Sequence, residues 1–127
     1  MANRKGSLTA SNIRYLIAIG KLCEDGNGTR CVRIAEVLGV SKPSVHTMIN
    51  SLKELDLVRK DRYGEVFFTE EGSRLANIYT EYYETVRRRI AEFIPNNEAA
   101  NAATCAVLAE VGQDELENMI SKSEMND

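Results

Sequence analysis

One turn, Gly39-Val-Ser-Lys-Pro43, constrains this chain more than any other feature, because it joins two apolar-periodic segments between Val32 and Leu57. Gly39 follows Ile34, Val37 and Leu38, where a residue tolerant of positive φ stops a first helix. Ser41 then restarts the chain as an N-cap, and Pro43 in the first turn forfeits only an N–H without a helical partner. The spacing predicts a helix, a sharp turn and a second helix.

In the second helix Val45, Met48, Ile49, Leu52 and Leu55 form one apolar stripe at helical spacing. Lys42, His46, Thr47, Asn50 and Lys53 occupy the other side, with hydrogen-bonding groups, two fixed positive charges and no carboxylate. Such a face suits a groove lined with phosphates and base edges. An ordinary amphipathic helix pair with a solvated outer face satisfies the same pattern.

The residues that follow favour the first reading. Leu57–Lys60 and Glu65–Phe68 are short β-prone runs around Asp61-Arg-Tyr-Gly64, with Gly64 placed for a hairpin turn. Arg59, Lys60 and Arg62 fall at or near the tip, where they can meet phosphates. A helix pair followed at once by a basic hairpin is the order of a winged helix.

Charge divides the same way. The net charge of −3 hides a front half, residues 1–64, with 11 Lys/Arg against 6 Asp/Glu, and a back half, 65–127, with 5 against 13. A front of +5 and a back of −8 fit a protein that offers one face to a polyanion. Arg4 and Lys5, in a polar start, are available for a further phosphate contact. No apolar run approaches the roughly 20 residues that span a membrane, and the first residues lack the apolar segment of a signal peptide. The expectation is a cytoplasmic protein with no membrane partner.

Elsewhere, Thr9 or Ser11 caps a first helix through Ile13, Leu16, Ile17 and Ile19 to Cys23, and Glu24–Gly28 ends it. Thr29–Val32 reads as a brief strand. Thr69, with Glu70 and Glu71 behind it, opens a helix that runs some 24 residues toward Pro95, about 36 Å. Its stripe of Leu75, Ile78, Tyr79, Tyr82, Val86, Ile90 and Phe93 exceeds what a small three-helix core covers, so self-association through the first six is expected. Asn97–Val111 is an alanine-rich helix ended by Gly112, and Asp114–Ser121 a last one, before an acidic frayed tail from Ser123.

Cys23, Cys31 and Cys105 are odd in number and far apart, which argues for buried thiols rather than a disulfide framework. A single histidine, His46, excludes zinc motifs built on histidine pairs. With no Gly-rich phosphate loop and no nucleophile–base pair at useful spacing, an enzyme is not expected; Glu70/Glu71 and Glu115/Glu117 read as cap and surface acids.

Tyr15-Leu16 with Ile19, Ile34-Ala-Glu36 with Ser41-Lys-Pro-Ser-Val45, and Phe68-Thr-x-x-Gly72 stand in an order that resembles the metal-dependent repressors of the diphtheria-toxin-repressor and manganese-transport-regulator family. The likeness covers nearly the whole chain and is to the short members without an SH3-like domain. The resemblance implies two divalent ions held by the first helix, the long helix and the next one. Laid on this chain, the ligand positions fall at Arg14, Ile17, Tyr83, Cys105, Leu108 and Ala109. Of these Cys105 alone is a plausible ligand, and one thiol without histidine or carboxylate neighbours does not build a first-row metal site. The resemblance therefore implies a repressor fold without the metal switch, and no cofactor.

These expectations add up to a mainly α chain with a small β-hairpin: a winged helix-turn-helix over 1–69, then a helical dimerisation region over 70–127. It is expected to act as a homodimeric, sequence-specific regulator on double-stranded DNA. Ser41, Lys42, Pro43, Ser44, His46, Thr47 and Asn50 are placed toward the major groove, and Arg59, Lys60 and Arg62 toward phosphates. Three alternatives stay open. One is a winged helix turned protein-interaction module. Another is a DNA-binding regulator that senses oxidant through Cys105 with Cys23, or a small ligand bounded by Tyr79, Tyr82 and Tyr83. The last holds a metal elsewhere.

Overall fold

A computed structural model describes residues 8–125 of the chain, with side chains through Lys122. Arg4, Lys5 and the last two residues of the acidic tail lie outside the described residues. The elements run α1 (Ala10–Leu22), β1 (Thr29–Arg30), α2 (Cys31–Leu38), α3 (Lys42–Glu54), β2 (Val58–Lys60), β3 (Glu65–Phe68), α4 (Glu70–Ile90), α5 (Asn97–Glu110) and α6 (Gln113–Met125). They form two compact units, one spanning residues 14–77 and the other joining the residues through 13 to those from 78 onward.

In the 14–77 unit, Leu16, Ile19, Ile34, Val45, Ile49, Leu52, Val58 and Val66 are buried at the core. The sheet has the order β1-β3-β2, with Thr29 opposite Val66 and Val58 opposite Phe68, all antiparallel. The expected hairpin thus gains a third, two-residue strand. That strand stops at Arg30 rather than Val32, because Cys31, Ile34 and Ala35 already have helical spacing and bury one face of α2. Asp61 builds the hairpin turn: its Oδ1 accepts from the N–H groups of Tyr63 and Glu65, both at 2.9 Å. Gly64 completes the turn at φ +88°.

In the other unit, Thr9 caps α1 reciprocally with Asn12. The Asn12 N–H donates to Thr9 Oγ1 and the Thr9 N–H to Asn12 Oδ1, each at 3.0 Å. α4 is 21 residues long, shorter than the periodicity suggests. Pro95 disfavours helical geometry at Ile94, and residues 91–93 close in turns, which leaves Phe93 72% exposed instead of on the apolar stripe. Asn96 restarts the chain by accepting the Ala99 N–H at 2.8 Å. α5 then buries Ala100, Thr104, Cys105 and Leu108. α6 buries Leu116 and continues through Met125, past the expected end at Ser121. Among the described residues no helix is long and apolar enough to cross a membrane.

Candidate nucleic-acid interface

Two backbone devices aim α3. Gly39 adopts the left-handed conformation at φ +68°, and the N–H groups of Gly39 and Val40 both reach the Ala35 carbonyl, at 2.8 and 3.1 Å. Ser41 is then extended, its Oγ accepts the Ser44 N–H at 3.2 Å, and Pro43 sits in the first turn. The Ser41 hydroxyl also donates to Ser44 Oγ at 2.9 Å, so both serine hydroxyls are engaged in the cap.

Once started, α3 rotates its two faces as the periodicity predicts. Val45, Ile49 and Leu52 are buried, with Met48 and Leu55 half-buried at the edges. Lys42, Pro43, Ser44, His46, Thr47, Asn50 and Lys53 are all exposed. One continuous surface therefore carries a lysine, an imidazole, a hydroxyl and a carboxamide, without a carboxylate before Glu54.

The exit of α3 is equally determined, by a residue whose role the sequence hides. Asp56 takes φ +64° and its N–H bonds the Lys53 carbonyl, while the Leu57 N–H bonds Leu52, both at 2.9 Å. Thr69 locks this corner to the start of α4. Its hydroxyl donates to the Asp56 carbonyl at 2.8 Å and accepts the Gly72 N–H at 3.0 Å, while its own N–H reaches Leu57 O at 3.0 Å.

On the hairpin, Arg59 and Arg62 are exposed and Lys60 is half-buried. The Arg59 guanidinium lies 5.0 Å from the Phe67 ring centroid and that of Arg62 lies 5.4 Å from Tyr63, so both are held over aromatic faces. Two neighbours went unread in the sequence. Tyr63 is 66% exposed at the tip, and the Arg30 guanidinium reaches the turn, 3.5 Å from where a Gly64 Cβ would stand. Arg30 could have been found from the antiparallel pairing of its strand; Tyr63 had only its place in the turn as a signal.

The positions that the family resemblance assigns to metal ligands hold other chemistry. In the 14–77 unit, Arg14 Nη2 donates to the Leu38 carbonyl at the C-terminus of α2, at 2.9 Å, and Ile17 is buried. In the helical unit, the Tyr83 hydroxyl donates to Asn101 Oδ1 at 2.9 Å. The Arg87 guanidinium bonds the same oxygen through Nε and Asn97 Oδ1 through Nη2 at 3.1 Å. Cys105 and Leu108 are buried and Ala109 half-buried. Among the described residues no three of His, Cys, Asp and Glu gather where they could hold a metal ion. A cation, three aliphatic side chains, a hydrogen-bonded phenol and a single buried thiol do not fit a divalent ion.

Of the residues expected at a dimer interface, Leu75, Tyr79, Tyr82, Val86 and Ile90 are already 5–8% exposed in the single chain, and Ile78 is half-buried. Tyr79 and Tyr82 pack edge to face with ring centroids 5.5 Å apart, so they line core rather than a ligand cavity. Burial pushes the Tyr82 hydroxyl pKa up, helped by Glu117 nearby. Burial, and then Glu65, likewise push the Cys23 thiol up, which keeps it protonated and poorly nucleophilic. No disulfide joins the described residues.

Residues 7–66 match the family described as the iron dependent repressor, N-terminal DNA binding domain. A comparison with curated proteins finds no match. Among solved structures, a hypothetical protein from Sulfolobus solfataricus is 20% identical, with a TM-score of 0.64 over 91% of this chain and 88% of its own. IdeR of T. acidophilum is 22% identical, with a TM-score of 0.65 over 93% of this chain and 55% of its own. The manganese regulator SloR is 24% identical, with a TM-score of 0.70 over 89% and 53%. At these identities the likeness is one of fold, and this chain spans little more than half the length of IdeR and SloR.

Proposed function

We propose, from the premise that residues 7–66 belong to the iron-dependent repressor family of DNA-binding domains, that this protein is a homodimeric transcriptional regulator that reads double-stranded DNA in the cytoplasm. The observation that carries the reading is the exposed, carboxylate-free face of α3. Lys42, Pro43, His46, Thr47 and Asn50 meet the major groove, with Ser41 and Ser44 holding the helix start that presents them. Arg59, Lys60 and Arg62 meet flanking phosphates, and fixed cations over aromatic rings suit that task. The winged-helix part, 1–69, supplies these contacts and the helical part, 70–127, the dimer.

Regulation by a divalent ion at the usual family positions is not part of this reading. Its support is the donor set: Arg14 committed to a helix C-terminus, Ile17 and Leu108 in the core, and Tyr83 and Arg87 shared with Asn101. The raised thiol pKa of Cys23 and the burial of Cys105 speak against a redox pair.

Selection of bound sequences from random duplexes, repeated with divalent metal and with chelator, tests all of this. The expected result is a two-fold symmetric site recovered equally under both conditions. Absence of duplex binding even at low salt would instead assign the fold to protein interaction. Recovery only with metal would restore the ion switch.

A further inference from the structure

We propose that the cleft between α4, α5 and α6 is a binding site for a carboxylate on an apolar chain, a fatty acid in chemical class. The cleft is open to solvent and has a volume of about 370 Å³. Its floor is Val86 and Ile90 from α4, Val107 from α5 and Met119 from α6, with Thr85 as its one neutral polar side chain. At its edge stand two exposed cations, Arg89 and Lys122, one from each of two helices.

Three features narrow the ligand. Beyond the Thr85 hydroxyl the side chains of the floor offer no strong donor or acceptor, so the body that fills it is mainly hydrocarbon. The volume lies at the small end of ligand pockets, which run from roughly 300 to 1,000 Å³, and has room for one short chain. The head is anionic because both charged lining residues are cations. They are conspicuous in a stretch where residues 78–122 hold eight Asp/Glu against four Lys/Arg. Of those four, Arg87 is engaged by Asn97 and Asn101, whereas neither Arg89 nor Lys122 has an ion pair among the described residues.

A guanidinium offers a planar fork that takes both oxygens of a carboxylate, and an ammonium adds a point charge beside it. Hydrocarbon burial supplies affinity and the two cations supply orientation. The bland account is that both side chains lay their stems along apolar surface and keep their charges in water. It predicts no preference for an anion. The inference rests on the helical unit alone and does not depend on DNA binding.

Calorimetric titration of the full chain with sodium decanoate, and with 1-decanol as the neutral counterpart, decides between them. Decanoate is expected to saturate one site per chain and to bind at least tenfold tighter than the alcohol. The double variant Arg89→Gln, Lys122→Gln should lose at least tenfold toward decanoate and nothing toward decanol, with an unchanged circular dichroism spectrum. Val107→Phe, filling the cleft, should weaken both ligands. Equal affinity for decanoate and decanol, or decanoate binding untouched by the double variant, overturns the proposal. So does absence of decanoate binding by the folded protein. If that absence comes with an oligomer that dissociates in the double variant on sedimentation, the cleft belongs to a second copy of the chain.

Discussion

Gly72 has no side chain because the Leu57 carbonyl oxygen occupies the place where one would go: a Cβ built there overlaps that oxygen and stands 2.8 Å from the Leu57 carbonyl carbon. The same oxygen accepts the Thr69 N–H, so neither partner is free to retreat. Thr69-x-x-Gly72 therefore does more than cap α4. It brings the first turn of α4 against the left-handed corner that ends α3.

Gly72→Ala should destabilise the protein by about 2–3 kcal/mol, the upper range for overpacking against groups that cannot yield. Gly20→Ala should act in the opposite sense. Its Cβ would make ordinary contacts, 3.7 Å to Ala76 and 3.8 Å to Phe68, and a mid-helix glycine costs roughly 0.5–1 kcal/mol relative to alanine. Denaturant unfolding of the two variants checks both signs.

The two left-handed corners around α3 predict a contrast. Gly39→Ala should cost about 1–2 kcal/mol, the penalty of a Cβ in that conformation. Asp56→Gly should raise stability by about 0.5 kcal/mol or more, since it keeps the backbone bonds at φ +64° and removes the strain. A rise in melting temperature for Asp56→Gly with a fall for Gly39→Ala is the expected pair.

On the reading face, Thr47→Ala and Asn50→Ala should reduce discrimination between duplexes, each by about 1–3 kcal/mol if it contacts a base edge well. Lys42→Ala should weaken binding to all sequences alike and flatten its salt dependence. Ser41→Ala should act chiefly on folding, by about 1 kcal/mol, because its oxygen caps α3. Binding isotherms across salt and sequence separate these classes; undiminished discrimination by the Thr47/Asn50 double variant would move the reading face elsewhere.

The Cys23 thiol carries a pH dependence of definite sign. Its folded pKa is raised, first by burial and then by Glu65, so the neutral thiol is the form the fold favours. That contribution is fully present below the unfolded thiol pKa and is lost as pH rises through the folded one. Peptide-resolved alkylation against pH should place the Cys23 midpoint above that of the denatured chain. Cys23→Ser should remove the corresponding share of the alkaline loss of stability.

What was legible in the chain was what neighbours in sequence decide. Gly39, Ser41 and Pro43 act within five residues, and Gly64 within its own turn, so the helix pair, the hairpin and the exposed face of α3 followed from local rules. The rest depended on distant groups. The need for glycine at 72 is set by a carbonyl fifteen residues earlier, and an aspartate at 56 gives no sign of a left-handed corner. The length of the stripe on α4 suggests an outside partner for much of it. Yet Tyr82 lies close enough to Asp114 and Glu117 of α6 for their charges to act on it, and cover from within the chain already buries Tyr79, Tyr82, Val86 and Ile90. The side chains at the six presumed ligand positions could be named in advance. Their actual partners, Leu38 for Arg14 and Asn101 for Tyr83, could not.

The bond between α4 and α5 made by Arg87 and Tyr83 on Asn101 has no detachable part. An ion that bridges two helices comes and goes with its free concentration, and the bridge inherits a dissociation constant. A guanidinium on a covalent tether has none. On the reading proposed above, the spacing of these two helices does not follow the supply of metal.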